Sequence, residues 1–189
     1  MGFHFMHLYQ LCPRKFFIKY ILGFVPPHTA IPLVLGGAIH EAIARWYLGD
    51  SEKSCIKLLE DQLERDSGEL EDPDKVDLLL IKAEAMFHNF LMEFGYQDLR
   101  DYKILGVELS MKPVLSNGYV TTVRADTVFG LRDGGALLNE IKTTSWSATL
   151  TNDALEMSDQ VTSYLFALRQ CHADWNVEGC LPTIIYGRQ

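Results

Sequence analysis

The chain has 189 residues, 48% of them hydrophobic and 22% charged, with a formal net charge of −8. That length builds one domain with a full core, or one with a helical elaboration, and the composition is globular rather than disordered. The acidic balance argues against nucleic-acid binding through a broad basic surface, but it permits a site that collects carboxylates around a cation.

No apolar run reaches the length that spans a bilayer; the longest, "TAIPLVLGGAIH", is interrupted by Pro32 and paired glycines. Arg14, Lys15 and Lys19 follow the first apolar stretch and have no small-residue cleavage site behind them, unlike a secretory signal. Cys12, Cys55, Cys171 and Cys180 form no C-x-x-C pair and are expected as reduced thiols of a cytoplasmic protein.

In chain order, "FHFMHLYQLCPRKFFIKYILGF" predicts a short helix before Cys12 and a second from Pro13, since proline suits a first turn. "VPPHTAIP" predicts a loop. "LGGAIHEAIARWYLGD" places Ile39, Ala42, Ile43 and Trp46 at helical spacing and stops at Gly49. "SEKSCIKLLEDQLE" predicts another helix. A further one is expected from Asp72-Pro73, with Val76, Leu79, Leu80, Ala83, Phe87, Phe90 and Phe94 along one stripe.

The period then falls to two. In "ILGVELSMKPV", Leu105, Val107, Leu109 and Met111 alternate with Glu108 and Ser110, and "YVTTVRADTVFG" and "GALLNEIKTT" follow as strands joined by the turn "LRDGG". "ALEMSDQVTSYLFALRQ" predicts a helix and "LPTIIYG" a last strand. Residues 1–189 are expected as one domain, mainly helical over 1–100 and built on the sheet over 101–189.

In a strand, residues i and i+2 share a face, so Glu140 and Lys142 stand side by side, opposite Leu137, Asn139 and Ile141. A solvated edge strand with an incidental charge pair accounts for this locally. If the strand pairs with its predecessor, however, Asp126 meets Glu140 at one end of the sheet, and Glu108 joins them. Three buried acids would raise one another's pKa at a desolvation cost, which a magnesium or manganese ion offsets. Such an ion activates water and neutralises phosphate charge, and a lysine beside it stabilises the developing charge. This is the chemistry of phosphodiester hydrolysis.

The chain resembles the PD-(D/E)XK nuclease superfamily, in particular the branch of the RecB nuclease domain and the CRISPR-associated exonucleases. "LYQLCPRKFFIKY", "GGAIH", "GVELSM", "RAD" with "NEIK", and "QVTSY" resemble its motifs in order. Ala125-Asp126 stands where the superfamily's name has Pro-Asp, and Glu140 where many relatives have Asp. The resemblance implies an α/β, restriction-endonuclease-like fold with a mixed central sheet, flanking helices and an N-terminal helical layer.

It also implies a DNA nuclease, with DNA ends or single strands as substrate, working alone, as a homo-oligomer or within a larger DNA-processing complex. Asp126, Glu140, His40 and the Ile141 carbonyl are its implied metal ligands, Lys142 its catalytic lysine and Glu108 a support for the metal. Gln160 and Tyr164 would hold the DNA backbone or orient Lys142. Arg14, Lys15 and Lys19 lie where a strand would enter.

Plainer roles stand beside these. His40 alone reads as a hydrogen-bonded, half-buried histidine, Gln160 and Tyr164 as packing over the sheet, the basic trio as a solvated face, and Trp146 as packing. Some relatives carry a four-iron cluster, but Cys171 and Cys180 lack a clustered third cysteine, so no iron–sulfur cluster is expected. Cys12 is expected as a small buried thiol among Tyr9, Leu11, Phe16 and Phe17. The alternatives are a catalytically silent nuclease-fold partner protein, or an unrelated metal-dependent enzyme.

Overall fold

Pro32 begins the helix that matters most to the site. A computed structural model describes residues 3–66, 76–144 and 159–187. In it α3 (Ile31–Tyr47) starts within the expected loop, because proline is tolerated in a first turn and its fixed φ suits the helix. Ahead of it lie α1 (Phe3–Leu11), α2 (Pro13–Phe16) and a π-helical turn over Phe17–Ile21. α3 ends where Gly49, at φ 98°, closes a paired turn: its N–H donates to the Trp46 carbonyl and that of Asp50 to the Arg45 carbonyl.

α4 (Glu52–Asp66) buries Cys55, Leu59 and Leu63, and α5 (Val76–Phe90) buries Leu79, Ala83, Met86, Phe87 and Phe90. The expected start at Asp72-Pro73 lies outside the described residues. The stripe does not end at Phe94; a π-helical turn over Leu91–Gly95 leads into α6 (Tyr96–Asp101). Trp46 explains why Gly95 is glycine. Its Nε1 donates to the Gly95 carbonyl at 3.1 Å, and a Cβ there would lie 3.0 Å from the same nitrogen.

The sheet follows the order β1 (Lys103–Met111), β2 (Val123–Gly130), β3 (Ala136–Thr144), β4 (Val177–Tyr186). The first two pairings are antiparallel, and the third is parallel, reached through α7 (Asp159–Cys171). This is the expected mixed sheet flanked by helices. Two strand boundaries move. β4 begins at Val177, ahead of the expected Leu181, because parallel pairing with β3 takes in Val177, Gly179 and Cys180, with Glu178 passed over at a register shift. β2 begins at Val123, while Val120 forms an isolated bridge with Val114 beyond a turn. β3 lies between two neighbours, so the solvated-edge reading of the Glu140–Lys142 strand does not hold.

One sheet face packs Phe129, Ile141 and Ile185 against α3, α4 and α5, and the other packs Val128, Ala136 and Leu138 against α7. A buried polar chain crosses the first interface. Tyr47 donates to Asp98 Oδ2 at 2.6 Å and accepts from Asn139 Nδ2 at 3.4 Å, and Thr183 donates to Asn139 Oδ1 at 2.8 Å. Four elements are thereby tied together in the core. Burial pushes the Asp98 carboxyl above the usual range against the pull of the Tyr47 hydrogen bond, and burial with the Asp98 charge holds the Tyr47 phenol far above its own.

Removing the Tyr47 hydroxyl would leave Asp98 buried without its donor. Tyr47→Phe is therefore predicted to cost roughly 2 kcal/mol in urea unfolding, and a Tyr47→Phe/Asp98→Leu double variant to recover part of it, since an apolar pair leaves nothing orphaned. An unchanged unfolding midpoint in the single variant would count against the chain's role.

Candidate metal centre

The β1–β2 ladder pairs Val107 with Thr127 and Leu109 with Ala125, which leaves Glu108 across from Asp126. Glu108 adopts φ 48°, a left-handed backbone that costs a non-glycine residue roughly 1–2 kcal/mol. Strain of this kind concentrates at functional sites. Its Oε2 lies 2.8 Å from Arg124 Nε.

The β2–β3 ladder ends at Thr127 and Asn139, one residue short of Asp126 and Glu140. Past that point the Ile141 N–H donates to Asp126 Oδ2 at 2.9 Å, so a side chain bridges the strands where a carbonyl would otherwise do so. α3 brings His40 Nδ1 to 3.7 Å from the same Oδ2. His40, Glu108 and Asp126 each offer one ligand atom, all within 4.8 Å of one another.

Beside this trio, Glu140 is completely buried. Its Oε1 lies 2.5 Å from Lys142 Nζ, and its Oε2 has no hydrogen-bond partner among the described residues. Lys142 Nζ also donates to Gln160 Oε1 at 3.2 Å, and Gln160 Nε2 donates to the Tyr164 hydroxyl at 3.0 Å. Gln160 and Tyr164 are four apart on α7, on one face of the helix, and this spacing lets one restrain the other. Burial raises the Glu140 carboxyl above the usual range and the Asp126 charge adds to it, with Lys142 opposing; burial likewise raises Glu108, with Arg124 opposing. Burial and the nearby Glu140 charge push the Cys180 thiol up to about 11, which leaves it protonated at neutral pH.

A family model for the PD-(D/E)XK nuclease superfamily matches residues 6–180. The chain belongs to that superfamily. No curated protein shows a significant match to it. Membership points to a nuclease acting on nucleic acid, of a kind that generally uses divalent metals.

The residues of this PD-(D/E)XK chain fit such an ion. They supply an imidazole and carboxylates, ligand types that a divalent cation takes, and the buried Glu140 Oε2, unpartnered among the described residues, is the type of atom a cation satisfies.

The nuclease fold thus brings together His40, Glu108 and Asp126, sets Glu140 and Lys142 beside them, and hangs Gln160 and Tyr164 on Lys142. Ile141 takes part through its amide, which orients Asp126. Arg14 and Lys15 are exposed on α2. Trp146 lies outside the described residues.

Cys12 is a correction. It is exposed, and its Sγ accepts the Lys15 N–H at 3.4 Å, so it caps α2 instead of filling a core. With Pro13 opening that helix, the preceding residue becomes the cap and turns toward the open amides. Cys55 lies in α4, Cys171 at the end of α7 and Cys180 in β4. Spacing alone puts Arg124 on the strand face of Asp126 but gives it no site role. It stands two residues before Asp126, but its partnership with Glu108 depends on the β1–β2 register.

Because the folded pKa of Glu140 is raised, the metal-free fold holds a proton that the unfolded chain releases. The stability from this group is present at low pH and lost as pH rises from about 4.5, its ordinary value, through the raised one. A cation bound at Glu140 would replace the proton, so the rise in Tm caused by manganese should then grow with pH across that window. Glu140→Gln should stabilise the metal-free protein near neutral pH and blunt the manganese response. Scanning calorimetry with and without chelator checks both; a manganese effect independent of pH would speak against Glu140 as a ligand.

Proposed function

We propose that this protein is a magnesium- or manganese-dependent deoxyribonuclease that hydrolyses phosphodiester bonds at DNA ends or in single strands. In kind it is close to the RecB nuclease domain and the CRISPR-associated exonucleases. We read residues 1–189 as one catalytic domain of a cytoplasmic protein, working alone, as a homo-oligomer or within a larger DNA-processing complex, in DNA repair or a phage setting. No iron–sulfur cluster enters this reading. The observation that carries it is the convergence of ligand atoms from α3, β1 and β2 within 4.8 Å, next to a buried glutamate paired with a half-buried lysine.

In this reading His40, Asp126 and Glu140 hold the ion, with the Ile141 carbonyl as a further ligand, and Glu108 supports it. The ion supplies Lewis-acid activation of water and charge neutralisation at the phosphate. The chain supplies the orientation. The Ile141 amide fixes one Asp126 oxygen, leaving its remaining lone pairs directed at the site. Arg124 restrains Glu108.

Lys142, held between Glu140 and Gln160, presents an ammonium to the attacking water and the charge that develops on the phosphate. Tyr164 accepts the Gln160 amide hydrogen bond, which keeps the Gln160 oxygen turned toward Lys142. Gln160 and Tyr164 also border the path of the DNA backbone, and Arg14, Lys15 and Lys19 contact its phosphates farther out.

End-labelled single- and double-stranded DNA incubated with manganese, magnesium or chelator tests the reading, and no cleavage with either metal would overturn it. Asp126→Ala should abolish cleavage and weaken manganese binding in calorimetry; unchanged binding removes Asp126 from the ligand set. Lys142→Ala should keep the metal yet lose roughly two orders of magnitude in rate, as removal of a transition-state charge stabiliser does. Near wild-type turnover at saturating metal would deny the lysine a catalytic role.

A further inference from the structure

The negative charge of this protein is not spread along the chain. Residues 1–40 contain three Lys or Arg and no Asp or Glu, while the remaining 149 residues carry 14 Lys and Arg against all 25 Asp and Glu. A phosphate backbone is repelled by the acidic body, so attraction to it has to be concentrated. Half of the exposed large apolar side chains among the described residues also lie in this acid-free segment. Phe24 is 67% exposed, Tyr9 56% and Phe17 49%, and the cations Arg14, Lys15 and Lys19 are exposed among them.

Tyr9 meets the Phe16 ring edge-on at 5.3 Å and the Phe24 N–H donates to the Ile18 carbonyl at 3.1 Å, so the exposed rings belong to one folded segment, and clustered exposed apolar side chains mark a binding face. Phe5 meets Phe16 edge-on at 4.5 Å and Tyr20 at a tilt at 4.8 Å between ring centres, which gives the outward aromatics a support, and Lys19 Nζ sits 5.5 Å from the Tyr20 ring centre.

Both ends of this arm meet elements that carry site residues. Met6 of α1 lines a pocket of about 240 Å³ with Val123 of β2 and with Thr162 and Phe166 of α7, the helix that carries Gln160. At the other end, the first turns of α3 lie against the last residues of β3. A Cβ on Gly36 would be 3.1 Å from Thr143 Oγ1, next to Lys142. The segment between these anchors therefore flanks the catalytic end of the sheet.

We propose that this arm is a stacking platform for unpaired bases, with Tyr9, Phe17 and Phe24 receiving base faces and Arg14, Lys15 and Lys19 following the phosphates. The partner is single-stranded nucleic acid, because a paired base keeps its faces inside the stack and offers no surface to an exposed ring. Alternating aromatics and cations without acids are the means by which proteins hold single strands irrespective of sequence. The platform rests on the nuclease reading for the strand's destination, but binding to it requires neither metal nor cleavage.

Fluorescence anisotropy of the full chain in chelator tests the platform, with a labelled oligothymidylate, a duplex of equal length and an abasic oligonucleotide of equal length as probes. Wild type should prefer the oligothymidylate to the duplex. Phe17→Ala/Phe24→Ala should weaken oligothymidylate binding by about tenfold or more per ring removed. Abasic binding should stay the same, and Phe17→Trp/Phe24→Trp should restore the wild-type preference, with circular dichroism confirming the fold of each variant.

Equal losses on oligothymidylate and abasic probes, or no loss, would overturn the platform. So would self-association through the patch in light scattering, or binding to phosphatidylglycerol vesicles in place of the oligonucleotide. Turnover of bis(p-nitrophenyl) phosphate with manganese reports on the nuclease reading alone, so failure of one is distinguishable from failure of the other.

Discussion

A carboxylate with no access to water is the constraint around which this molecule is arranged. Glu140 lies in an interior strand, completely buried, with one oxygen against Lys142 and the other without a partner among the described residues. Burying an isolated ionised carboxylate is among the largest penalties a fold can carry, and a fold normally answers it with pairing, protonation or a cation. Lys142 answers half of it. The superfamily's use of divalent metals, and three further ligand groups gathered nearby, supply the chemistry for the other half.

Holding the site together requires that α3 not slide along the sheet. His40 and Tyr47 are seven residues apart on α3, so they lie on nearly the same face. Tyr47 is hydrogen-bonded to Asn139, the neighbour of Glu140, and to Asp98 of α6. The polar chain therefore fixes the helix that carries His40 against the strand that carries Glu140. Apolar packing alone is non-directional and sets such a register weakly, whereas hydrogen bonds in a dry interface have a definite length and direction.

Local strain and local order are combined at the sheet's catalytic end. Glu108 departs from strand geometry, and the β2–β3 ladder stops before Asp126, so that two strands diverge where side chains must converge. The Ile141 amide left by that divergence is taken up by Asp126 itself. Backbone irregularity and ligand orientation are one feature here, since an amide that loses its carbonyl partner in a buried sheet has to find another acceptor.

Much of this could be read in the residues. The switch from helical to two-residue periodicity near residue 103, the turn at Gly134, and Asp126, Glu140 and Lys142 as a unit all follow from side-chain spacing, because regular elements repeat at fixed intervals. Other features were hidden. Gly179 joins β4 only because Leu137 of β3 offers it a parallel partner. Cys12 faces solvent because Pro13 makes it a cap.

Local pattern by itself thus determined the kinds of element, their order and which carboxylates share a strand face, because these depend on neighbours in the chain, whereas His40 entered only through the family resemblance. Only the tertiary structure decided that Glu140 is interior, that Arg124 holds Glu108 and that Tyr47 reaches Asn139. Those contacts join residues far apart in sequence, and no periodicity encodes them.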